Sequence, residues 1–261
     1  MLERWLKAGE PARQGLLELN VLAADSEVDE DQLMAWLGRE IERNYVTPGE
    51  LEAIFDDLGA PEVAEHLRRN KFPTQTSIRN GDFGEAVTAA LYRRVRRWCV
   101  PVLKLRYKQR PNQPVQGVDV IGFRLREDPP VVAAPEVKTR TDRRLGVGVD
   151  AHESLEKVLV DLPQAITFVV ARLNDRGIAL ASRVAQLLKT PYVVERHIVL
   201  VNDDTAWSDT IIERLGGKVT VETSVTIMRI PTLADVITKA YNAAVNATGA
   251  TPSAGDGHAA S

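Results

Sequence analysis

The chain of 261 residues predicts an α/β fold: a mixed β-sheet core flanked by helices, with a helical module in front of it. Three observations carry this. Residues 1 to about 75 repeat apolar side chains at helical spacing, residues about 76 to 245 alternate strand-like and helix-like stretches, and two strand-like runs bracket one strong turn signal. Those runs are Val115 to Phe123 and the one starting at Val131, with Arg126-Glu127-Asp128-Pro129-Pro130 folding the chain back between them.

The N-terminal elements follow from apolar spacing. Trp5-Leu6, Leu16-Leu17, Leu33-Met34-Trp36-Leu37-Ile41, Leu51-Ile54-Phe55-Leu58 and Val63-Leu67 read as faces of four or so short helices. Turn signals at Gly9-Glu10-Pro11, Thr47-Pro48-Gly49 and Gly59-Ala60-Pro61 separate them. A helix start is expected at Asn80-Gly81-Asp82, with Asn80 or Asp82 as the capping side chain. After the turn comes a strand at Glu136-Val137-Lys138, then a basic loop through Gly146-Val147-Gly148. Helices are predicted from about His152 to Leu173, with Ala165 to Leu173 readable as strand or helix, and from Ile178 to Leu188. A strand at Tyr192 to Val201, a helix around Ile211 to Leu215, a strand or strand pair over Lys218 to Ile230 and a last helix from Pro231 complete the unit. Beyond Asn246 the composition turns to Ala, Gly, Ser, Thr and Pro, which predicts a disordered tail. The expected division is therefore 1–75, 76–245 and 246–261.

Bulk properties exclude several classes. Hydrophobic residues form 44% of the chain, enough for a sizeable core, yet no run approaches a membrane span. Met1 to Lys7 lacks a signal-peptide core, so a cytoplasmic protein is expected. The single Cys99 rules out an internal disulfide or a thiolate zinc site, and beside Trp98 and Val100 it reads as a packed thiol. No Walker sequence is present, so any ATP-driven step needs another protein. The serines, Ser154 included, lack a Gly-x-Ser-x-Gly setting.

The chemistry concentrates in two short stretches, Gln116-Gly117-Val118-Asp119 and, seventeen residues on from that aspartate, Pro135-Glu136-Val137-Lys138. Strand side chains alternate faces, so Glu136 and Lys138 project together with Val137 opposite. The hairpin turn would bring Asp119 beside them. Two carboxylates and a lysine at a sheet edge suit a divalent ion held over a phosphodiester. Mg²⁺ takes one or two carboxylates plus water and phosphate oxygens, and the lysine orients or deprotonates a water or touches the phosphate. Glu-x-Lys alone would be an ordinary surface pair. A third acid strengthens the signal: Glu85 is the only charged residue from Phe83 to Tyr92, and a carboxylate on such an apolar helix needs a partner, a metal or Lys138. Pro135 has no ladder donor, so the Glu136 strand must be an edge or carry a bulge.

Charge is unevenly spread. Thirteen acids against Arg39 and Arg43 lie between Asp25 and Glu65, whereas Ala86 to Val118 has no acid. That second stretch carries Arg93, Arg96, Arg97, Lys104 and Lys108, and Arg140, Arg143 and Arg144 follow the Glu136 strand. These eight are the expected nucleic-acid contacts, because phosphate binding needs cations around the site. The acidic face reads as a solvated surface or a docking face for a basic partner. His152 is a weaker candidate: it could touch a phosphate or act as a base, and reads more readily as a capping or exposed histidine.

The order Glu85 on a helix, Gly117-x-Asp119 on a strand and Glu136-x-Lys138 on the next resembles the PD-(D/E)XK, or restriction-endonuclease-like, nuclease superfamily over roughly residues 80 to 175. Arg79-Asn80-Gly81-Asp82-Phe83-Gly84-Glu85, Gly117 to Phe123, Glu136-Val137-Lys138 and the ending Ile230-Pro231-Thr232-Leu233-Ala234-Asp235-Val236-Ile237 are similar to the family of the nuclease subunit of the Hachiman helicase–nuclease anti-phage system. The resemblance implies a DNA endonuclease or nickase using Mg²⁺ or Mn²⁺, with Glu85, Asp119, Glu136 and Lys138 catalytic and the three acids on the metal. It further implies DNA as substrate and a separate ATP-dependent superfamily 2 helicase as partner. A degenerate nuclease fold kept for DNA binding or helicase docking is the alternative.

Overall fold

Pro135 cannot donate to a sheet ladder, and the strand that follows it lies at the end of its sheet, as a proline at that place requires. The computed structural model describes residues 1–47, 63, 66, 70–115 and 117–247. Its helices are α1 (Leu2–Trp5), α2 (Glu30–Tyr45), α3 (Thr76–Ala90), α4 (Val147–Val160), α5 (Leu162–Asp175), α6 (Leu180–Gln186), α7 (Thr210–Gly216) and α8 (Leu233–Ala247). Its strands are β1 (Leu6–Ala8), β2 (Ala12–Gln14), β3 (Leu17–Ala24), β4 (Gly122–Arg124), β5 (Val131–Ala133), β6 (Glu136–Arg140), β7 (Val193–Glu195), β8 (His197–Asp203) and β9 (Thr223–Ile230).

A six-stranded mixed sheet runs β1-β3-β9-β8-β6, with β2 also on β3. β3, β9, β8 and β6 are parallel neighbours, whereas β1 and β2 pair antiparallel with β3. A three-stranded sheet, β4-β5-β7, stands beside it. Parallel strands are covered on both faces, so they read as continuous apolar runs; every residue of β8 is buried. Val199 and Val201 pack with α2, α3 and α8 side chains such as Ile41, Val87 and Tyr241. Ile198 and Leu200, one residue out of phase, pack with Leu155 of α4 and Ile211 and Leu215 of α7. A third cluster joins Phe123 and Val132 to Ile166 and Val169 of α5 and Val184 of α6. The α/β class with helices flanking a mixed sheet holds.

The helices form where caps and spacing agree. Asp29 accepts the Gln32 N–H at 2.8 Å and starts α2, with Glu30 and Asp31 in its first turn. Leu33, Leu37 and Ile41 then face the core at helical spacing. Asp203 accepts the Leu233 N–H at 2.9 Å, fixing the start of α8. Two glycines set close approaches. A Cβ on Gly38 would lie 3.0 Å from Ala243 Cβ, so α2 and α8 meet backbone to backbone there. A Cβ on Gly84 would collide with Thr139 and stand 3.1 Å from Val137 Cγ1, so only glycine lets α3 lie on β6.

Several expectations are corrected. The stretch Leu6 to Ala24, expected as helix, is three strands; β3 takes seven register partners on β9, and tertiary pairing overrides the local pattern. Among the described residues, Leu2, Trp5 and Leu37 share one cluster with Phe83, Val137 and Tyr241. Asn80 and Asp82 are not caps: α3 begins at Thr76, and both lie inside it. Gly146-Val147-Gly148 is not a loop throughout, because α4 starts at Val147 and Gly148 packs under Ile211. Ala165 to Leu173 is helix. Tyr192 to Val201 splits into β7 and β8 in different sheets, and β9 is a single strand. The expected helices over 51–58 and 63–67, the turns at 47–49 and 59–61 and the tail past residue 247 lie outside the described residues, residue 47 and isolated positions 63 and 66 excepted.

Candidate active site

The β4–β5 hairpin aligns the two acid-bearing stretches. Gly122 pairs with Ala133 in antiparallel register. Asp119 lies three residues before Gly122, and Glu136 lies three residues past Ala133, where the chain has passed from β5 into β6 of the larger sheet. Asp119 precedes β4 in an irregular segment rather than on the strand itself. That segment turns at Gly117, whose φ of +98° glycine adopts without strain. Freed from the ladder, the Asp119 carboxylate reaches the open edge of β6 and accepts the Val137 N–H at 3.1 Å.

Two faces of β6 meet there. Val137 and Thr139 lie against α3, as the Gly84 contacts show. Glu136 and Lys138 project to the other face, where Lys138 Nζ donates to Glu136 Oε1 at 2.7 Å and to Ser154 Oγ on α4 at 3.3 Å. Glu136 is nearly buried and Lys138 partly open to solvent. Glu85 approaches from α3, but its partner is Lys104 rather than Lys138. Lys104 Nζ lies 3.3 Å from Glu85 Oε1 and 3.0 Å from Asp119 Oδ1. The structure thus joins Glu85 and Asp119 through a second lysine, Lys104, pairs Glu136 with Lys138, and links the two pairs through the Asp119 bond to the Val137 N–H. A lone lysine in the apolar run Val100-Pro101-Val102-Leu103-Lys104-Leu105 is the signal that marks this second lysine: a buried ammonium requires an acid.

The electrostatics are those of crowded acids. Burial, then the Asp119 charge, holds the Glu85 carboxyl well above its ordinary range, against the pull of Lys104. Burial and Asp119 raise Glu136 too, with Lys138 opposing. Burial would lower Lys104, yet Glu85 and Asp119 together raise it. Glu85 Oε2 is buried with no hydrogen-bond partner. Three carboxyl groups face two ammonium groups, so one acid, Glu85, has no countercharge of its own and is held towards its neutral form.

Among the described residues no group of three His, Cys, Asp or Glu side chains is placed to hold a metal ion, so Glu85, Asp119 and Glu136 are not a preformed three-acid site. Mg²⁺ does not require one, since one or two carboxylates with water and phosphate oxygens suffice. The acid excess and the orphaned Glu85 oxygen fit such a cation.

The expected nucleic-acid contacts divide into two groups. Lys104 is committed to Glu85 and Asp119, and Lys108 is buried against Asp82 and Tyr45. Arg93 binds Glu40 at 2.9 Å. Arg96 lies over the Tyr92 ring and donates to Thr226. These four point inward because a basic stretch crossing a folded core must pair with acids or ring faces. Arg97, Arg143 and Arg144 are exposed, Arg144 pairing with Asp150 at 2.7 Å, and Arg140 is half-buried with Nε unpartnered. His152 is mostly covered and sits 3.6 Å from Glu156. Cys99 is half-buried and burial raises its thiol, as a packed cysteine requires.

The family model for HamA matches residues 2–244. The chain belongs to the HamA family. The match begins ahead of β1 and ends within α8, so the N-terminal strands belong to the family fold as much as the acid cluster does. No curated protein matches the chain. HamA-family membership agrees with the resemblance read from the Asn80 to Glu85, Gly117 to Phe123 and Glu136 to Lys138 motifs. Among the described residues no helix is long and apolar enough to cross a membrane.

Proposed function

We propose that this HamA-family chain is a Mg²⁺- or Mn²⁺-dependent DNA endonuclease or nickase, and that its role is in Hachiman anti-phage defence, with a separate ATP-dependent superfamily 2 helicase as partner. Family membership points to the defence role. The observation that carries the nuclease reading is the acid excess at the free edge of β6: Glu85, Asp119 and Glu136 on three elements, with Glu85 Oε2 unpartnered.

In this reading Asp119 and Glu136 hold the ion, with Glu85 as the third acid. The bound ion supplies charge neutralisation at the phosphate and a more acidic water. Lys138, held between Glu136 and Ser154, orients a water or a phosphate oxygen with its ammonium. The Asp119 bond to Val137 N–H keeps that carboxylate aimed at the β6 edge. Arg140 at the end of β6, and Arg143 and Arg144 just beyond it, take neighbouring phosphates.

The Lys104 ammonium between Glu85 and Asp119 favours a second reading, in which a fixed cation has replaced the metal and the fold serves only to bind DNA or dock the helicase. Plasmid cleavage separates the two. The nuclease reading expects nicking with Mg²⁺, none with EDTA, and loss in Glu136→Ala and Lys138→Ala by about a hundredfold or more, the scale of losing a group that acts in the transition state. Cleavage at the parental rate by either variant would refute the site.

A further inference from the structure

A cleft of about 560 Å³ opens beside the acid cluster and shares two of its residues, Asp119 and Lys104. Its volume falls within the range of about 300–1,000 Å³ typical of small-ligand sites. One wall is aromatic. Tyr107 and Phe168 meet edge to face, 5.5 Å between centroids at 85°. The Arg172 guanidinium lies 5.3 Å from the Tyr107 ring and 5.4 Å from that of Phe168. Phe168 keeps 38% of its surface exposed, unusual for a ring on a helix whose other face is core. The Gly117–Asp119 turn also lines the cleft, and a Gly117 Cβ would meet nothing within 4 Å, leaving the backbone open to a ligand. Lys157 and Gln164 stand at the rim, both exposed.

We infer that this cleft takes an unpaired nucleobase of single-stranded DNA, adjoining the phosphate at the acid cluster. The inference rests on the nuclease reading for the position of that phosphate. A base within a duplex has both faces covered by the stack and offers only its edges. A wall made of the Tyr107 and Phe168 rings, with apolar Val102, Ile121 and Val169 also lining the cleft, binds a face. Base-on-aromatic stacking is the sequence-tolerant device of single-strand binders. Gln164 carries a donor and an acceptor for a base edge, and Lys157 supplies charge for the strand's phosphate. Because Asp119 lines the cleft, the pocket adjoins the acid cluster, so the cleft selects strands already opened. That is the substrate an unwinding partner delivers.

The test uses the full chain in EDTA, where no strand is cut, and a single-stranded oligonucleotide carrying one 2-aminopurine, against the same sequence as a duplex. The parental chain should quench the probe in the single strand and leave the duplex signal unchanged. Phe168→Ala should lose the quench and weaken single-strand binding about tenfold or more, the scale of one stacked base, with duplex affinity unmoved. Phe168→Leu keeps the apolar volume, so it should hold the parental Tm and still lose the quench. An equal loss for both DNA forms, no loss for either, or no single-strand binding by the parental chain would overturn the base site. Failure of the nuclease reading shows separately, as Glu136→Ala cleaving plasmid normally while the Phe168-dependent quench persists.

Discussion

Two buried acid–lysine pairs lie one turn apart on α3, and they differ in what surrounds them. Asp82 binds Lys108 and the Tyr45 hydroxyl, with Tyr241 on the far side of Tyr45. Lys108 and Asp82 are almost sealed, their side chains 1% and 7% exposed. Three residues on, Glu85 meets Lys104, which comes from the same 3-10 turn as Lys108. Here the lysine is shared with Asp119, Glu136 adds a third carboxylate, one Glu85 oxygen has no partner, and a cleft adjoins. The first pair is balanced and closed and has nothing left to bind. The second has acid to spare and an opening. Balance of charge, rather than burial or residue type, separates a structural pair from a candidate site.

Breaking the closed pair should have the largest effect. Lys108→Met leaves Asp82 buried without its cation, which costs about 3–5 kcal/mol; urea denaturation of the variant measures it. Asp82→Asn combined with Lys108→Met should recover most of that loss, because two neutral groups replace an unpaired charge. A single variant within about 0.5 kcal/mol of the parent would show that the pair is not a stabilising unit.

The open pair should respond differently. Lys104→Met in EDTA should cost less, about 1–3 kcal/mol for the hydrogen bonds Glu85 and Asp119 lose. Mg²⁺ should then restore stability, by about 2.7 kcal/mol at a hundred times its Kd, and by more than it gives the parental chain. Equal Mg²⁺ shifts in thermal melts of the two proteins would mean that Lys104 does not compete with a cation.

A third buried cluster sharpens the contrast with a smaller, pH-dependent effect. His197 is buried between Tyr92, Trp98 and Glu195, with Arg96 and Arg124 nearby. Burial lowers its pKa, the Glu195 bond and charge opposing, while Arg96 and Arg124 push it the same way as burial. The unfolded histidine, near 6.5, then binds protons the folded one refuses, so stability present above that pH falls as pH drops through it. The slope from one such group is at most about 1.4 kcal/mol per pH unit. His197→Gln should flatten the parental decline between pH 7 and 5.5, followed by urea midpoints; an unchanged slope would place the titrating group elsewhere.

The site was more legible in the sequence than the fold around it. The turn at Arg126 to Pro130 brings Asp119 back to the Glu136 strand, where it accepts the Val137 N–H, and Pro135 marked an edge strand, because both rest on local rules of chain reversal and donor loss. The lysine beside Glu85 was hidden in a basic stretch that reads as a DNA-binding face until the chain is folded. Most of those cations turn inward, Arg93 to Glu40 and Lys108 to Asp82, and no local pattern reveals such distant partners. The strands of residues 6–24 escaped for the same reason: β3 pairs along its length with β9, from Leu17 against Thr223, 206 residues away. Gly84 carried a usable signal, a glycine inside an apolar helix, whose cause is the Thr139 contact across β6.

Mn²⁺ binding followed by electron paramagnetic resonance decides whether the open cluster takes a divalent cation through Asp119 and Glu136. The parental chain should remove free Mn²⁺ from solution, with Mg²⁺ competing. Asp119→Asn and Glu136→Ala should each weaken binding by tenfold or more while keeping the parental thermal melt in EDTA, since an amide or a methyl group is a poor replacement for a carboxylate ligand. Mn²⁺ binding that is absent in the parental chain, or unchanged in both variants, would contradict the account.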